Sequence, residues 1–209
     1  MKRALSILMA LLLAAASAMA STTDSIAILK KIAEANSHIT TLQAPYTHER
    51  ISGNSVSHRT GDFYYTADGA KLAMRYTDPE GRYFVVADHH LHNKIGAVPM
   101  HFNTNRSSLM RLFGNCMVWA VSGEVQKIYE ANNVDMTLED NDDDNSYTIT
   151  MTARSGFNKG ISRIVLKYDR TSCLIFHLEV DEIINVNHIF KINRTPKIGH
   201  KINPDVFKI

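Results

Sequence analysis

The stretch that decides the fold is Gly61–Gly81, which reads GDFYYTADGAKLAMRYTDPEG. It begins with an aromatic run that favours a strand, and Ala67-Asp68-Gly69 then supplies turn residues. Apolar and polar residues alternate from Leu72 to Thr77, and the segment Asp78-Pro79-Glu80-Gly81 ends the second strand. The stretch therefore predicts a β-hairpin with an apolar face.

Outward from this hairpin, the apolar periodicity divides the chain into two helical regions and a long series of strands. Helical spacing covers residues 24–41 and residues 105–131, the latter with a break at Ser122-Gly123. The predicted strands are 43–51, 56–66, 71–77, 82–87, 90–95, 134–138, 147–153, 161–168, 173–180, 184–192 and 205–209. This order predicts one α+β domain in which helices interrupt an antiparallel sheet at the front and in the middle.

Two later strands indicate that the sheet is apolar on one face and wet on the other. Their predicted apolar faces are Tyr147, Ile149, Met151 and Ala153 in one strand, and Leu174, Phe176, Leu178 and Val180 in the other. Antiparallel sheets of this kind pack one face on a core. We therefore expect the sheet to curve around its apolar face and the helices to cover that face.

The first twenty residues have the layout of a secretory signal peptide. Lys2 and Arg3 precede an apolar run, and Ala18-Met19-Ala20 forms a cleavage site, so we expect cleavage after Ala20 and a domain over residues 21–209. Loss of the two basic residues reduces 23 Lys and Arg to 21, equal to the 21 Asp and Glu. The exported protein is then formally neutral and has no basic stripe for nucleic acid.

The two cysteines, Cys116 and Cys173, leave two alternatives open. Export would allow a disulfide between them. Both lie in apolar segments, however, and two buried free thiols fit the sequence as well. Neither belongs to a C-x-x-C motif, so the pair does not indicate redox catalysis.

The hairpin resembles the second and third strands of LolA, the periplasmic carrier of outer-membrane lipoproteins. The resemblance rests on Gly61-Asp62, the aromatic run, the alternating strand and Thr77-Asp78-Pro79. It extends over most of the chain. Further similar segments are Thr40–His48, Gly81–Asp88, Asn93-Lys94, Lys167-Tyr168-Asp169 and Asn203–Ile209.

This resemblance implies an unclosed β-barrel whose helices form a lid over an apolar cavity. It also implies a periplasmic, monomeric carrier without cofactor or enzymatic activity, which moves acylated lipoproteins from an inner-membrane lipoprotein-releasing ABC transporter to an outer-membrane acceptor. An alternative is a sensor or regulatory module on the same fold, similar to the RseB-type regulators, which would bind lipoproteins or other amphiphiles.

Two apolar segments and one later strand supply the candidates for an acyl-chain cavity. The candidates are Leu72, Met74, Tyr76, Leu109, Leu112, Phe113, Met117, Trp119, Phe176 and Leu178. Ordinary core packing is the alternative for each, although flexible methionines suit a surface that repacks around varied chains. The family arginine that latches the lid falls on Asp68, so the resemblance implies that this chain closes its lid differently.

Other motifs carry less weight. His89, His90, His92 and His101 raise a metal hypothesis, since His90 and His92 would share one face of a strand. No carboxylate completes a metal motif there, so the sequence predicts no metal site, and an exported zinc hydrolase is only a third hypothesis. The acidic run at residues 140–144 lacks the glycine and the glutamate of a calcium loop, and no hydrolase or phosphate-binding motif occurs.

Overall fold

The structure, a computed structural model, describes residues 24–94, 97–106, 108–131, 134–154 and 160–209. The predicted signal peptide lies outside the described residues. The helices are α1 (24–37), α2 (Ser108–Val121) and α3 (Val125–Ala131). The strands are β1 (Thr41–Ser52), β2 (Ser55–Thr66), β3 (Lys71–Asp78), β4 (Tyr83–Ala87), β5 (His90–Asn93), β6 (Met100–Asn103), β7 (Val134–Asn141), β8 (Ser146–Ala153), β9 (Ile161–Asp169), β10 (Ile175–Glu182), β11 (Val186–Ile192) and β12 (Lys197–Ile198).

All twelve strands belong to one antiparallel sheet in the order β6-β5-β4-β3-β2-β1-β11-β10-β9-β8-β7, with β12 paired to the start of β1. Strand β1 is the centre of this sheet, because five strands follow it on each side in this order. It pairs with β2 along its whole length and with β11 from Tyr46 to Ser52. Strands β6 and β7 form the two edges, and no pairing of described residues joins them. The sheet is curved and unclosed, as predicted.

The main core lies between the concave face of the sheet and the helices. It takes alternate residues from the central strands, and Phe63, Leu72, Ile149 and Leu166 are fully buried in it. Helix α1 contributes Ile32, which is also fully buried. The apolar residues of the strands and those of the helices belong to this one core. The helices therefore cover the concave face of the sheet.

A smaller cluster lies on the convex face, where the C-terminal segment crosses β3 and β4. Ala73, Val85 and Ala87 are buried there, and Phe207 packs against them. The Arg75 guanidinium donates from Nε to the carbonyl oxygen of Val206 at 2.9 Å and from Nη2 to that of Lys208. The C-terminal residues are therefore tied to the outside of the sheet.

The structure corrects the sequence prediction at three places. The predicted strand at residues 205–209 is wrong, since Pro204–Phe207 form a 3-10 helix in which the Asn203 side chain accepts a hydrogen bond from the Asp205 amide. Strands β6 and β12 were not predicted, because they are short and mostly exposed. The predicted common face of Phe176 and Leu178 is wrong, since a register shift between Ile175 and His177 interrupts the alternation.

The close approach of backbone at Gly61 gives a first testable prediction. A Cβ atom at this position would lie 2.2 Å from the carbonyl oxygen of Arg75 and 2.8 Å from a ring carbon of Tyr46. We expect Gly61→Ala to lower the free energy of unfolding by about 1–3 kcal/mol in urea denaturation, because the backbone of β3 must move.

Gly114→Ala is the matched control. A Cβ atom at Gly114 would meet only side-chain carbons of Val86 and Leu91 at 3.5 Å or more, and alanine favours the helix. We expect no loss of stability from this control. Equal losses in both variants would contradict a specific close approach of backbone at Gly61.

Candidate functional site

An apolar cavity of about 330 Å³ lies between helix α2 and the two wings of the curved sheet. Strands β3 to β6 supply one wall and β9 to β11 the other. The lining residues are Met74, Tyr76, Phe84, Leu91, Asn93, Met100, Phe102, Phe113, Met117, Gly160, Ile161, Glu182, His188 and Phe190. Most of the wall is aliphatic, aromatic or thioether, which is the usual lining of a site for an apolar ligand.

The cavity brings together four of the residues singled out from the sequence: Met74, Tyr76, Phe113 and Met117. Leu72 and Leu178 are buried in the main core, and Trp119 packs against that core. The Leu109 and Leu112 side chains lie outside the described residues. Phe176 lies apart from the described lining, under the Arg194 guanidinium, whose carbon is 3.7 Å from the ring centroid.

Sequence reasoning missed most of the aromatic wall. Phe84, Phe102 and Phe190 line the cavity, and the rings of Phe84 and Phe113 meet edge to face at 5.5 Å between centroids. Phe190 could have been found, because Val186, Phe190 and Ile192 alternate along β11. Met100 and Phe102 lie on β6, one of the two strands that the periodicity did not reveal.

A buried tyrosine fastens helix α2 to the sheet beside this cavity. Tyr168 of β9 is fully buried, and its hydroxyl donates to the carbonyl oxygen of Ala120 at 2.6 Å. Ala120 lies in the last turn of α2, where carbonyl groups have no partner within the helix. Asp68, at the position of the family latch, is exposed in the turn between β2 and β3. The helix is thus held from β9.

We expect Tyr168→Phe to loosen α2. The substitution leaves a buried carbonyl without its donor, so the free energy of unfolding should fall by about 1–3 kcal/mol. Hydrogen exchange should quicken in α2 more than in β1. Tyr83→Phe is the control, since the Tyr83 ring lies on the convex face against Arg75. Unchanged exchange in α2 would contradict the tether.

A row of hydrogen-bonded polar groups runs along part of the cavity wall. The Tyr76 hydroxyl lies 2.8 Å from Nδ1 of His48, and Nε2 of His48 lies 3.0 Å from Nδ1 of His188. Nε2 of His188 in turn lies 3.1 Å from a carboxylate oxygen of Glu182. One arrangement satisfies every contact with neutral rings, in which each group donates toward Glu182.

Burial controls the protonation of this row. Burial, with a smaller contribution from the nearby His188, lowers the pKa of His48 to about 3. Burial also lowers the pKa of His188, although the Glu182 carboxylate opposes that shift, and it raises the pKa of Tyr76 to about 12. His48 and Tyr76 are therefore neutral at pH 7.

A set of exposed apolar side chains, here called the rim, lies at the end of the sheet that carries Glu182 and His188. Five exposed side chains form the rim: Val56 at 50%, Val98 at 71%, Met100 at 43%, Ile183 at 47% and Ile184 at 69% of their accessible area. They come from the tips of the β1–β2, β5–β6 and β10–β11 hairpins. Clustered exposed apolar groups are characteristic of interaction surfaces. Among the described residues, no helix has the length and hydropathy needed to cross a bilayer.

The structure bears on the metal-site hypothesis for the histidines and on the disulfide alternative for the two cysteines. His92 and His101 face each other across β5 and β6, with 2.6 Å between their Nδ1 atoms. Within the described ranges, no group of three His, Cys, Asp or Glu residues is placed to hold a metal. Cys116 and Cys173 are both buried free thiols, the second of the two alternatives left open above.

A curved, unclosed antiparallel sheet with helices against its concave face defines the structural class. An uncharacterized conserved protein from Thermus thermophilus superposes with a TM-score of 0.51 at 11% identity, over 89% of this chain and 93% of that protein. MucB superposes with a TM-score of 0.50 at 16% identity, over 90% of this chain and 63% of MucB.

A third comparison gives a lower TM-score. A LolA superfamily protein from Nitrosomonas europaea matches with a TM-score of 0.41 at 9% identity, over 88% of this chain and 96% of that protein. No protein-family model matches the chain, and no curated protein matches it at a significant level. The chain has a LolA-like fold, which confirms the expectation from its sequence.

Proposed function

We propose that this protein is an exported, non-enzymatic carrier that holds an acyl chain in the cavity beneath α2. The observation that carries the proposal is the cavity itself, about 330 Å³ of apolar space left between the core and the helix. Protein cores are normally close-packed, and a concave apolar space of this size is typical of a site for an apolar ligand. The predicted signal peptide supports export.

The size of the cavity bears on the cargo. Ligand pockets range from roughly 300 to 1,000 Å³, and this one lies at the lower end. It suits one acyl chain better than two or three. Burial of a chain contributes about 0.8 kcal/mol per methylene, so the number of methylenes that fit in the cavity would set the affinity.

In the carrier proposal, the cargo is an acylated lipoprotein. The protein would receive it from an inner-membrane lipoprotein-releasing transporter and deliver it to an outer-membrane acceptor. The exposed rim supports such exchange, because it offers apolar contacts at the end of the sheet where the cavity wall is polar.

A chain-length series tests the proposal. Fatty acids of increasing length, from about eight to about eighteen carbons, are titrated against the full mature protein by calorimetry. We expect the binding free energy to become more favourable by about 0.8 kcal/mol per methylene and then to level off once the cavity is full. Affinity that is independent of chain length, or no binding at all, would overturn the proposal.

The rim also favours a second candidate, an interaction module in which a protein partner covers these side chains. The two functions differ in what leaves the complex. A carrier transfers a labelled lipoprotein or lipid to acceptor vesicles, whereas a sensor module keeps a stable complex with its partner and transfers nothing. Vesicle transfer by the purified protein therefore separates them.

A further inference from the structure

The concave face of the sheet changes from apolar to polar residues at the end that carries the rim. The buried residues of β1 alternate through Tyr46 and His48, and this alternation places Arg50 in the same row. On β2 the same face continues from Gly61 to Arg59 and Ser57. Toward this end of β1 and β2, the inward-facing positions therefore change from apolar residues to arginine and serine.

The register brings these polar residues beside the cavity. Arg59 lies opposite His48, while Arg50 lies opposite both Ser57 and His188. The His48 ring bonds to Tyr76 and His188, which line the cavity. The two arginines therefore lie next to the polar row, on strands that neighbour the cavity wall.

Two atoms of these half-buried side chains are shielded from solvent and have no hydrogen-bond partner among the described residues. They are Nη1 of Arg59 and Oγ of Ser57. In the same part of the chain, no carboxylate forms an ion pair with Arg59 or Arg50, and the neighbours with the largest electrostatic influence on Arg59 are arginines and tyrosines. Burial lowers the pKa of Arg59.

Such a group is costly without a partner. Nearly all buried polar atoms in folded proteins have one, and a shielded guanidinium nitrogen on a half-buried arginine is an exception that calls for an explanation. Guanidinium N–H groups bind the oxygens of carboxylates and phosphates, often two at a time, and a serine hydroxyl can add a third donor. The carboxylate of Glu182, which lines the cavity, is engaged by Nε2 of His188 at 3.1 Å.

We propose that Arg59, together with Arg50 and Ser57, binds the anionic head group of an amphiphile whose chain occupies the cavity. This inference rests on the proposed function, since it assumes that an apolar chain enters beneath α2. An amphiphile in the cavity would place its head at the polar end of the wall, where these donors lie. The ligand class is an acyl or alkyl chain that bears a carboxylate or a phosphate.

The test compares three ligands with the same alkyl chain: lauric acid, dodecyl phosphate and the neutral dodecanol. Each is titrated against the wild-type protein, the two anions below their micellar concentrations and the alcohol below its solubility limit. We expect both anions to bind about tenfold more tightly than the alcohol. A preference for only one of them identifies the head group as carboxylate or phosphate.

Arg59→Gln should abolish this preference and leave dodecanol binding unchanged, while Arg59→Lys should retain part of it. Arg106→Gln, in the loop at the opposite end of the sheet, is the matched control and should keep the full preference. Thermal unfolding shows which variants are folded. Ser57→Ala, a smaller change, is expected to weaken binding of the anions severalfold.

Other outcomes would separate the two proposals. Equal binding of all three ligands, with no effect of Arg59→Gln, would overturn the head-group site and leave the carrier proposal intact. Loss of dodecanol binding in Arg59→Gln would also overturn it, because the residue would then act through the fold. Failure of every ligand to bind would overturn the proposed function as well.

Discussion

Met117→Trp is expected to weaken binding of a long acyl chain roughly 60-fold. Met117 lies on α2, is 3% exposed and lines the cavity. If the added ring excludes about three methylenes of the ligand, the loss is about 2.4 kcal/mol. Calorimetric titration of palmitic acid measures the change.

Stability makes this variant more informative. In a filled core the larger ring would cost about 1–3 kcal/mol, whereas in an empty cavity it finds space and leaves the free energy of unfolding unchanged or higher. Met136→Trp is the matched control, since Met136 packs against the core from β7 and is absent from the described lining. Undiminished affinity in a folded Met117→Trp protein would contradict the cavity as the binding site.

The protein is expected to lose stability steeply below pH 6.5, with His48 as a principal cause. The His48 ring is 1% exposed, and burial lowers its pKa from 6.5 to about 3. Between these two values the unfolded chain binds a proton that the folded chain does not, so the free energy of unfolding falls as the pH falls. The expected contribution of His48 between pH 6.5 and about pH 5 is about 2 kcal/mol.

Urea denaturation of His48→Gln at both pH values measures this contribution. Glutamine retains a donor and an acceptor but cannot take up a proton in this range, so the variant should lose about 2 kcal/mol less than the wild type. His188 and His177 also have pKa values lowered by burial, and they act in both proteins. His58→Gln, on the exposed side of β2, is the control. An unchanged pH dependence in His48→Gln would contradict a buried neutral His48.

The sequence predicted the fold well where local patterns decide it. The hairpin around Asp68-Gly69 combines turn residues with alternation, and the structure pairs Leu72 with Tyr65 and Met74 with Phe63 as that pattern requires. The apolar helical segment before Ser122-Gly123 likewise ends at the predicted break. In these segments a short-range signal and the tertiary structure agree.

The candidate site was predictable only in part. Met74 and Phe113 were found because each lies in a strongly apolar element. No local pattern encodes the cavity itself, because it forms between elements that are distant in sequence. The polar row was not predicted, since no role was assigned to His48 or His188 from the sequence. Their places in the inward alternation of β1 and β11 were the available signal.

Irregular backbone explains the remaining difference at Phe176. Strict alternation assigned this residue to the concave face together with Leu178, but the register shift after Ile175 reverses its side. The Arg194 guanidinium then covers the ring. Bulges of this kind depend on the neighbouring strands rather than on the strand's own sequence.

Native mass spectrometry of the protein taken from its own cellular compartment tests the central claim most directly. The account predicts that the wild type carries a bound amphiphile, lipid or acylated protein, and that Met117→Trp, purified in the same way, carries much less. Wild-type protein that is always free of such ligands, even when purified gently and alongside lipid, would contradict the claim that the cavity holds an acyl chain.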